Sequence, residues 1–120
     1  MSDLACAATL LLARHGKADY VEDWFSDEGG SLNAEGRAQA HALAARVRDC
    51  RITQVWSSDT SRAVQTAEIV AADLGLVAGA AVVARKSLRE VFLGGLLGTP
   101  FDLDRLHGVT DRWFAGDLDV

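Results

Sequence analysis

The sequence predicts one α/β domain, residues 1–120, built on a largely parallel sheet. Three observations carry this expectation. Apolar runs alternate with helical stretches in the order β-loop-α-β-α-β-α. The first run, Thr9 to Ala13, is apolar without alternation, as in a strand covered on both faces. Polar residues follow each predicted strand, at the edge where open α/β sheets hold their ligands.

The elements follow in order. Thr9 to Ala13 is the first strand, ending in Arg14-His15-Gly16. Asp19 to Gly30 is acidic and aromatic and ends in two glycines, which predicts a long loop. Its carboxylates do not alternate as in a calcium loop, so a solvated loop flanking the ligand is expected, with Tyr20, Trp24 and Phe25 able to cover an organic group or to fold onto the core. Asn33 can cap a helix running to about Arg48, with Glu35 favoured in its first turn and Ala40, Leu43, Ala44 and Val47 on one face. Ile52 to Ser57 is a second strand. Ser58 or Asp59 can cap the next helix, whose apolar face is Ala63, Ala67, Val70, Ala71 and Leu74 and which Gly75 can end. Ala81 to Ala84 is a third strand. Beyond Pro100, "LDRLHGVTDRWF" predicts a last helix, bent or interrupted near Gly108.

Composition narrows the function. Half the residues are hydrophobic and a quarter charged, as in a globular domain that is soluble. A net charge of −5 disfavours nucleic acid and anionic membranes as partners. An anionic ligand must then be captured by a local basic pocket. Cys6 and Cys50 form no CxxC or metal-ligand spacing, which predicts two reduced thiols. The apolar stretch from Leu4 to Leu12 is too short to span a bilayer and has no basic leader, so a cytoplasmic location is expected.

The strand-end residues suit phosphoryl transfer. Arginines hold phosphate oxygens bidentately and keep their charge, so Arg14 and Arg62 are candidate ligands. A neutral imidazole can attack phosphorus, which makes His15 the candidate nucleophile. A leaving alkoxide needs a proton, and Glu90 is the candidate acid. No metal and no organic cofactor is required. His41 is expected on the surface of its helix, and His107 away from the pocket.

At these residues the chain resembles the histidine phosphatase superfamily, also called phosphoglycerate mutase-like. "LLLARHG" is similar to its opening strand and Arg-His-Gly signature. "SLNAEGRAQA" resembles its first helix start, with Asn33 in place of a threonine. "VWSSDTSRAVQTAEIVAADLG" resembles its second motif and "LREVFLGGLLG" its third, so the likeness runs over about residues 9 to 98. The resemblance implies a three-layer α/β/α phosphoglycerate mutase-like fold with a largely parallel sheet, incomplete in this 120-residue chain. It implies that His15 becomes phosphohistidine, that Arg14 and Arg62 grip the phosphate, and that Glu90 donates the proton. Gly16 and Lys17 join the substrate-binding set. Lys17, where the family commonly has glutamate, would bring positive charge toward the phosphate or else be solvated.

Two further departures stand out. Leu96-Leu97-Gly98 replace the family's tryptophan-glutamate-glycine. The family's second catalytic histidine, in a later strand lying between the first and second strands, has no counterpart before Val120. Unpaired strand edges are costly. The two strands would then pair directly, or another chain would complete the sheet, or the chain is a truncated copy of a longer protein. Association through open edges predicts a homodimer. The expected function is a phosphomonoester hydrolase of weak activity acting on a small phosphorylated substrate. The alternatives are a non-catalytic module that binds phosphate and, less favoured, a mutase.

Overall fold

The computed structural model describes residues 7–20, 30–76, 81–90, 100 and 102–116. Cys6, Trp24, Phe25, most of the acidic loop and the Leu96-Leu97-Gly98 departure lie outside them. The elements are β1 (Ala18–Asp19), β2 (Ser31–Leu32), α1 (Ala34–Val47), a 3₁₀ turn (Arg48–Cys50), β3 (Val55–Ser57), α2 (Ser61–Asp73), β4 (Val82–Ala84), a second 3₁₀ turn (Lys86–Leu88) and α3 (Leu103–Phe114).

The expected α/β architecture is present, with β3 and β4 parallel in the register Val55↔Val82, Trp56↔Val83 and Ser57↔Ala84. Backbone bonds from Val55 to Ala81 and from Arg85 to Ser57 extend this ladder at both ends. β1 and β2 form a separate antiparallel pair of two residues each.

The expected strand over Thr9 to Ala13 is not formed. Residues 7–17 lie in no ladder, and Leu10 and Leu12 are 78% and 89% exposed. A strand exists only through its neighbours, and among the described residues β3 pairs with β4 alone. The apolar composition of this segment is that of a two-sided burial which the described residues do not supply. The second strand is likewise shorter than expected, starting at Val55 instead of Ile52.

The helices follow local chemistry closely. Asn33 caps α1, its Oδ1 accepting the Gly36 N–H at 2.9 Å. Ala40 and Ala44 are buried on α1 and Ala67, Val70 and Ala71 on α2, and the two helices pack against each other through these small residues. Leu43, Val47, Ala63 and Leu74 complete the expected faces as half-buried positions. Gly75, at φ +71°, ends α2 in a Schellman motif, with Leu76 N–H bonded to Ala71 C=O and Gly75 N–H to Ala72 C=O.

Two helix expectations change. Thr60, not Ser58 or Asp59, is the N-cap of α2. The Ser58 hydroxyl is taken up by that of Thr60 at 2.8 Å, and the Asp59 carboxylate by Arg89. α3 runs unbroken through Gly108, because Asp102 caps it by accepting from the Asp104 and Arg105 amides. A single mid-helix glycine costs only about 1 kcal/mol, too little to break a capped helix.

One contact joins the loop layer to the helices. A Cβ on Gly16 would lie 2.4 Å from the Gly36 carbonyl oxygen, and one on Gly36 would lie 2.0 Å from that of Lys17. Backbone meets backbone here, and only glycine fits on either side. Gly36→Ala is therefore expected to destabilise the protein by about 1–3 kcal/mol, the ordinary cost of overpacking. Gly108→Ala, whose Cβ meets nothing within 4 Å, should instead stabilise it by up to about 1 kcal/mol. Urea unfolding of the two variants beside wild type measures both signs.

Candidate active site

The site assembles where residues 14–17 cross the start of α2. Arg62, in the first turn of α2, is 8% exposed and lies on the same face as Thr66, Ala67 and Val70. That face turns it toward His15, where Arg62 Nε donates to His15 Nε2 at 3.2 Å. The other ring nitrogen, Nδ1, is 2.7 Å from the Gly16 carbonyl oxygen. A carbonyl only accepts and an arginine Nε–H only donates. Both bonds therefore require one tautomer, with the proton on Nδ1 and the lone pair on Nε2.

Gly16 is itself anchored. Its N–H donates to Thr66 Oγ1 at 3.1 Å, and the Thr66 hydroxyl donates to the Arg62 carbonyl at 2.8 Å. The next amide, that of Lys17, donates to Gln39 Oε1 at 2.8 Å. Lys17 C=O accepts from the Asn33 N–H at 3.1 Å, and Gln65 Oε1 accepts from Leu32 N–H at 2.7 Å. The helix faces thus supply side-chain partners for the loop amides that no sheet ladder reaches.

The carboxylate of Glu90 reaches the same guanidinium, 3.7 Å from Arg62 Nη2, and its own side chain is 77% exposed. Residues 86–90 are fastened to the start of α2 by the ion pair between Arg89 Nε and Asp59 Oδ1 at 2.5 Å. The hydrogen bond from Arg89 holds the Asp59 carboxyl below its ordinary value of 3.8, aided by the charges of Arg89 and Lys86 against partial desolvation. The Tyr20 ring lies over Arg62, 5.5 Å from guanidinium carbon to ring centre. Beside His15 opens a cavity of about 370 Å³, lined by Ala13, Arg14, Gly16, Gln39 and Thr66 among others.

His15, Gly16, Arg62 and Glu90 therefore converge as the sequence suggests, and Arg14 stands exposed on the cavity beside them. Lys17 is directed elsewhere. Its Nζ pairs with Glu35 Oε2 at 2.8 Å, and that bond raises its pKa. Tyr20, expected to cover an organic group or to fold onto the core, instead lies half exposed over the arginine. His41 is exposed as expected but bridges α1 to α2 through Asp73 Oδ2 at 2.5 Å. His107 is exposed on α3. Among the described residues no three His, Cys, Asp or Glu side chains cluster as a metal site would, and no helix is long and apolar enough to cross a membrane.

Gly36 and Gln39 lie in the "SLNAEGRAQA" motif and Gln65 and Thr66 in the "VWSSDTSRAVQTAEIVAADLG" motif, but the motifs alone assign them no role at the site. Thr66 carried a usable signal, because it follows Arg62 by four residues and so shares its helix face. A polar residue continuing an otherwise apolar stripe marks the point where core gives way to site.

Comparison with known proteins identifies the family and the fold. Residues 10–119 match the model of the histidine phosphatase superfamily (branch 1). The chain is 36% identical over 106 residues to a probable phosphoglycerate mutase GpmB of Yersinia enterocolitica, covering 87% of this chain and 46% of that protein. It is 34% identical over 97 residues to phosphoglycerate mutase-like protein 4 of Arabidopsis thaliana, covering 76% and 40%. The chain thus spans less than half the length of these relatives. Among solved structures, a mycobacterial glucosyl-3-phosphoglycerate phosphatase in complex with inorganic phosphate superposes with a TM-score of 0.60 at 26% identity, over 85% of this chain and 45% of that one. A phosphoserine phosphatase of Entamoeba histolytica, at 21% identity and a TM-score of 0.59 over 87% and 50%, shares the fold.

The Asp59–Arg89 pair makes a pH prediction. Because the folded-state pKa of Asp59 is lowered, its stabilisation is present above the unfolded value and is lost as pH falls through the folded one. The urea midpoint of wild type should exceed that of Asp59→Asn at about pH 6, and the gap should close below about pH 4. A gap that persists unchanged into acid removes the pair from the account.

Proposed function

The chain belongs to the histidine phosphatase superfamily, branch 1, and on that footing we propose that it is a phosphomonoester hydrolase working through a phosphohistidine at His15. The observation that carries this reading is the tautomer. The Nε2 lone pair of His15 faces the guanidinium of Arg62, so a phosphoryl group drawn to that charge meets the nucleophile.

The phosphate of a small monoester binds Arg62 and Arg14, with Gly16 beside it, and Lys17, paired with Glu35, takes no part. Binding draws the Arg62 N–H groups onto phosphate oxygens and frees His15 Nε2. Nε2 attacks phosphorus in line, an N–P bond forms, and the P–O bond to the leaving group breaks with its electron pair. Glu90 is the group that hands that oxygen a proton. In the second half a water attacks the phosphohistidine and gives a proton to the Glu90 carboxylate. The N–P bond breaks, the lone pair returns to Nε2 and orthophosphate leaves. Arg62 neutralises the phosphoryl oxygens throughout.

Two properties of the relatives support this substrate class. The mycobacterial phosphatase holds inorganic phosphate, and the relatives in sequence are named a probable phosphoglycerate mutase and a phosphoglycerate mutase-like protein. A second reading, phosphate binding without turnover, is favoured by the same His15–Arg62 bond, since it occupies the lone pair in the unliganded site. The assembly we propose is a homodimer, supported by the exposure of Leu10, Leu12 and Trp56.

With an aryl phosphate, wild type should hydrolyse and His15→Ala should not, and quenched wild type should carry acid-labile phosphate on His15. Arg62→Ala should lower kcat by about 10²–10³-fold, as for loss of one transition-state donor. Equal rates for wild type and His15→Ala exclude the hydrolase. Tight phosphate binding without turnover establishes the second reading. Sedimentation equilibrium at micromolar concentration should show dimer, and monomer alone refutes the assembly.

A further inference from the structure

We propose that Thr66 is a positioning residue that sets His15 against Arg62. The proposal rests on the hydrolase reading for its kinetic consequence, but its structural content stands separately. Four hydrogen bonds close a ring. The Thr66 hydroxyl donates to the Arg62 carbonyl at 2.8 Å, and the Gly16 amide donates to Thr66 Oγ1 at 3.1 Å. The Gly16 carbonyl takes the Nδ1 proton of His15 at 2.7 Å, and His15 Nε2 takes the Nε proton of Arg62 at 3.2 Å. The ring begins and ends on one residue, its carbonyl at one end and its guanidinium at the other.

Thr66 is the member whose hydroxyl both donates and accepts, so it alone joins α2 to the Gly16 backbone. It is 8% exposed, and a buried hydroxyl in this position is strongly ordered by its two partners. The Gly16 peptides are pinned on one side by Thr66 and on the next by Gln39, which bonds the Lys17 amide. Gln39 comes from α1 and carries no ligand-binding group, whereas Thr66 comes from the helix that carries Arg62. Thr66 is therefore the bond that makes nucleophile and arginine one rigid unit instead of two loosely facing ones. Removing its hydroxyl leaves the Gly16 amide without its partner and frees the His15–Gly16 peptide from α2, so that His15 can shift and its ring leave both the Gly16 carbonyl, which Gln39 still holds through the Lys17 amide, and Arg62 Nε.

The test compares Thr66→Val, which keeps the shape and loses the hydroxyl, with Thr66→Ser, which keeps it. Long-range ¹⁵N–¹H spectra of ¹⁵N-histidine-labelled protein at about pH 8, where imidazole is neutral, read the His15 tautomer, assigned by its loss in His15→Gln. Wild type and Thr66→Ser should show the Nδ1–H form alone, and Thr66→Val a mixture of both tautomers. On an aryl phosphate Thr66→Val should lose about ten- to a hundredfold in kcat with KM within about twofold, as for a misplaced reacting group, and Thr66→Ser should restore kcat. Should Thr66→Val not fold, Thr66→Ala takes its place against Thr66→Ser under the same criterion. A single Nδ1–H tautomer in the variant lacking the hydroxyl overturns the proposal, whatever the activity. Absence of turnover in wild type overturns the hydrolase reading and leaves the tautomer test decisive for Thr66.

Discussion

The position of His15 depends on a contact in which no side chain takes part. Gly16 and Gly36 bring two backbones together so closely that a methyl group on either would overlap a carbonyl oxygen of the other segment. Glycine in the first turn of a helix costs about 1 kcal/mol in chain entropy. Here the approach puts three amides within reach of acceptors, those of Gly16, Lys17 and Asn33, bonded to Thr66, Gln39 and the Lys17 carbonyl. At about 1 kcal/mol net for each bond, the arrangement more than offsets the glycine cost. Held at a larger separation, the loop would need longer side chains to bridge it, and His15 would lose its fixed carbonyl.

From that contact α2 carries the order onward. Ala67 and Ala71 let it lie close to Ala40 and Ala44 of α1, and Arg62 and Thr66 continue the same face toward the loop. A guanidinium as enclosed as that of Arg62 is stable only if its donors are met. His15 takes the Nε donor, while Glu90 sets its charge and Tyr20 its ring against the group, from two segments of chain, residues 15–20 and 86–90. The buried charge thereby gathers those segments. The Asp59–Arg89 pair fixes the second of them, which carries Glu90.

Legibility divided along the reach of each interaction. Asn33 as cap, Gly75 as terminator and the alanine faces of both helices were readable because each is decided within a few residues. The convergence of His15, Arg62 and Glu90 was readable from their places after successive strands, together with the family resemblance. The strand at Thr9 to Ala13 was not. Apolar composition reports what a segment could bury, while pairing depends on a neighbour distant in sequence or beyond it. The cap of α2 was misplaced for a related reason, since Asp59 was claimed by Arg89, thirty residues away. Gly36 and Thr66 lie within the family-like motifs, but their roles were not legible, because a close approach and a bridging hydroxyl look, in sequence, like any small residue on a helix.

The unformed strand bears on the site less than its sequence proximity suggests. Leu10 and Leu12 lie bare five and three residues before His15, yet the hydrogen bonds that orient the imidazole among the described residues come from the Gly16 turn, α1 and α2. No bond in that set passes through a sheet ladder. Association at this segment would bury leucine surface and supply partners for open amides, both terms in stability. Neither term moves Gly16 relative to Thr66. The geometry of His15 and Arg62 is thus set by the Gly16 turn and the helical layer.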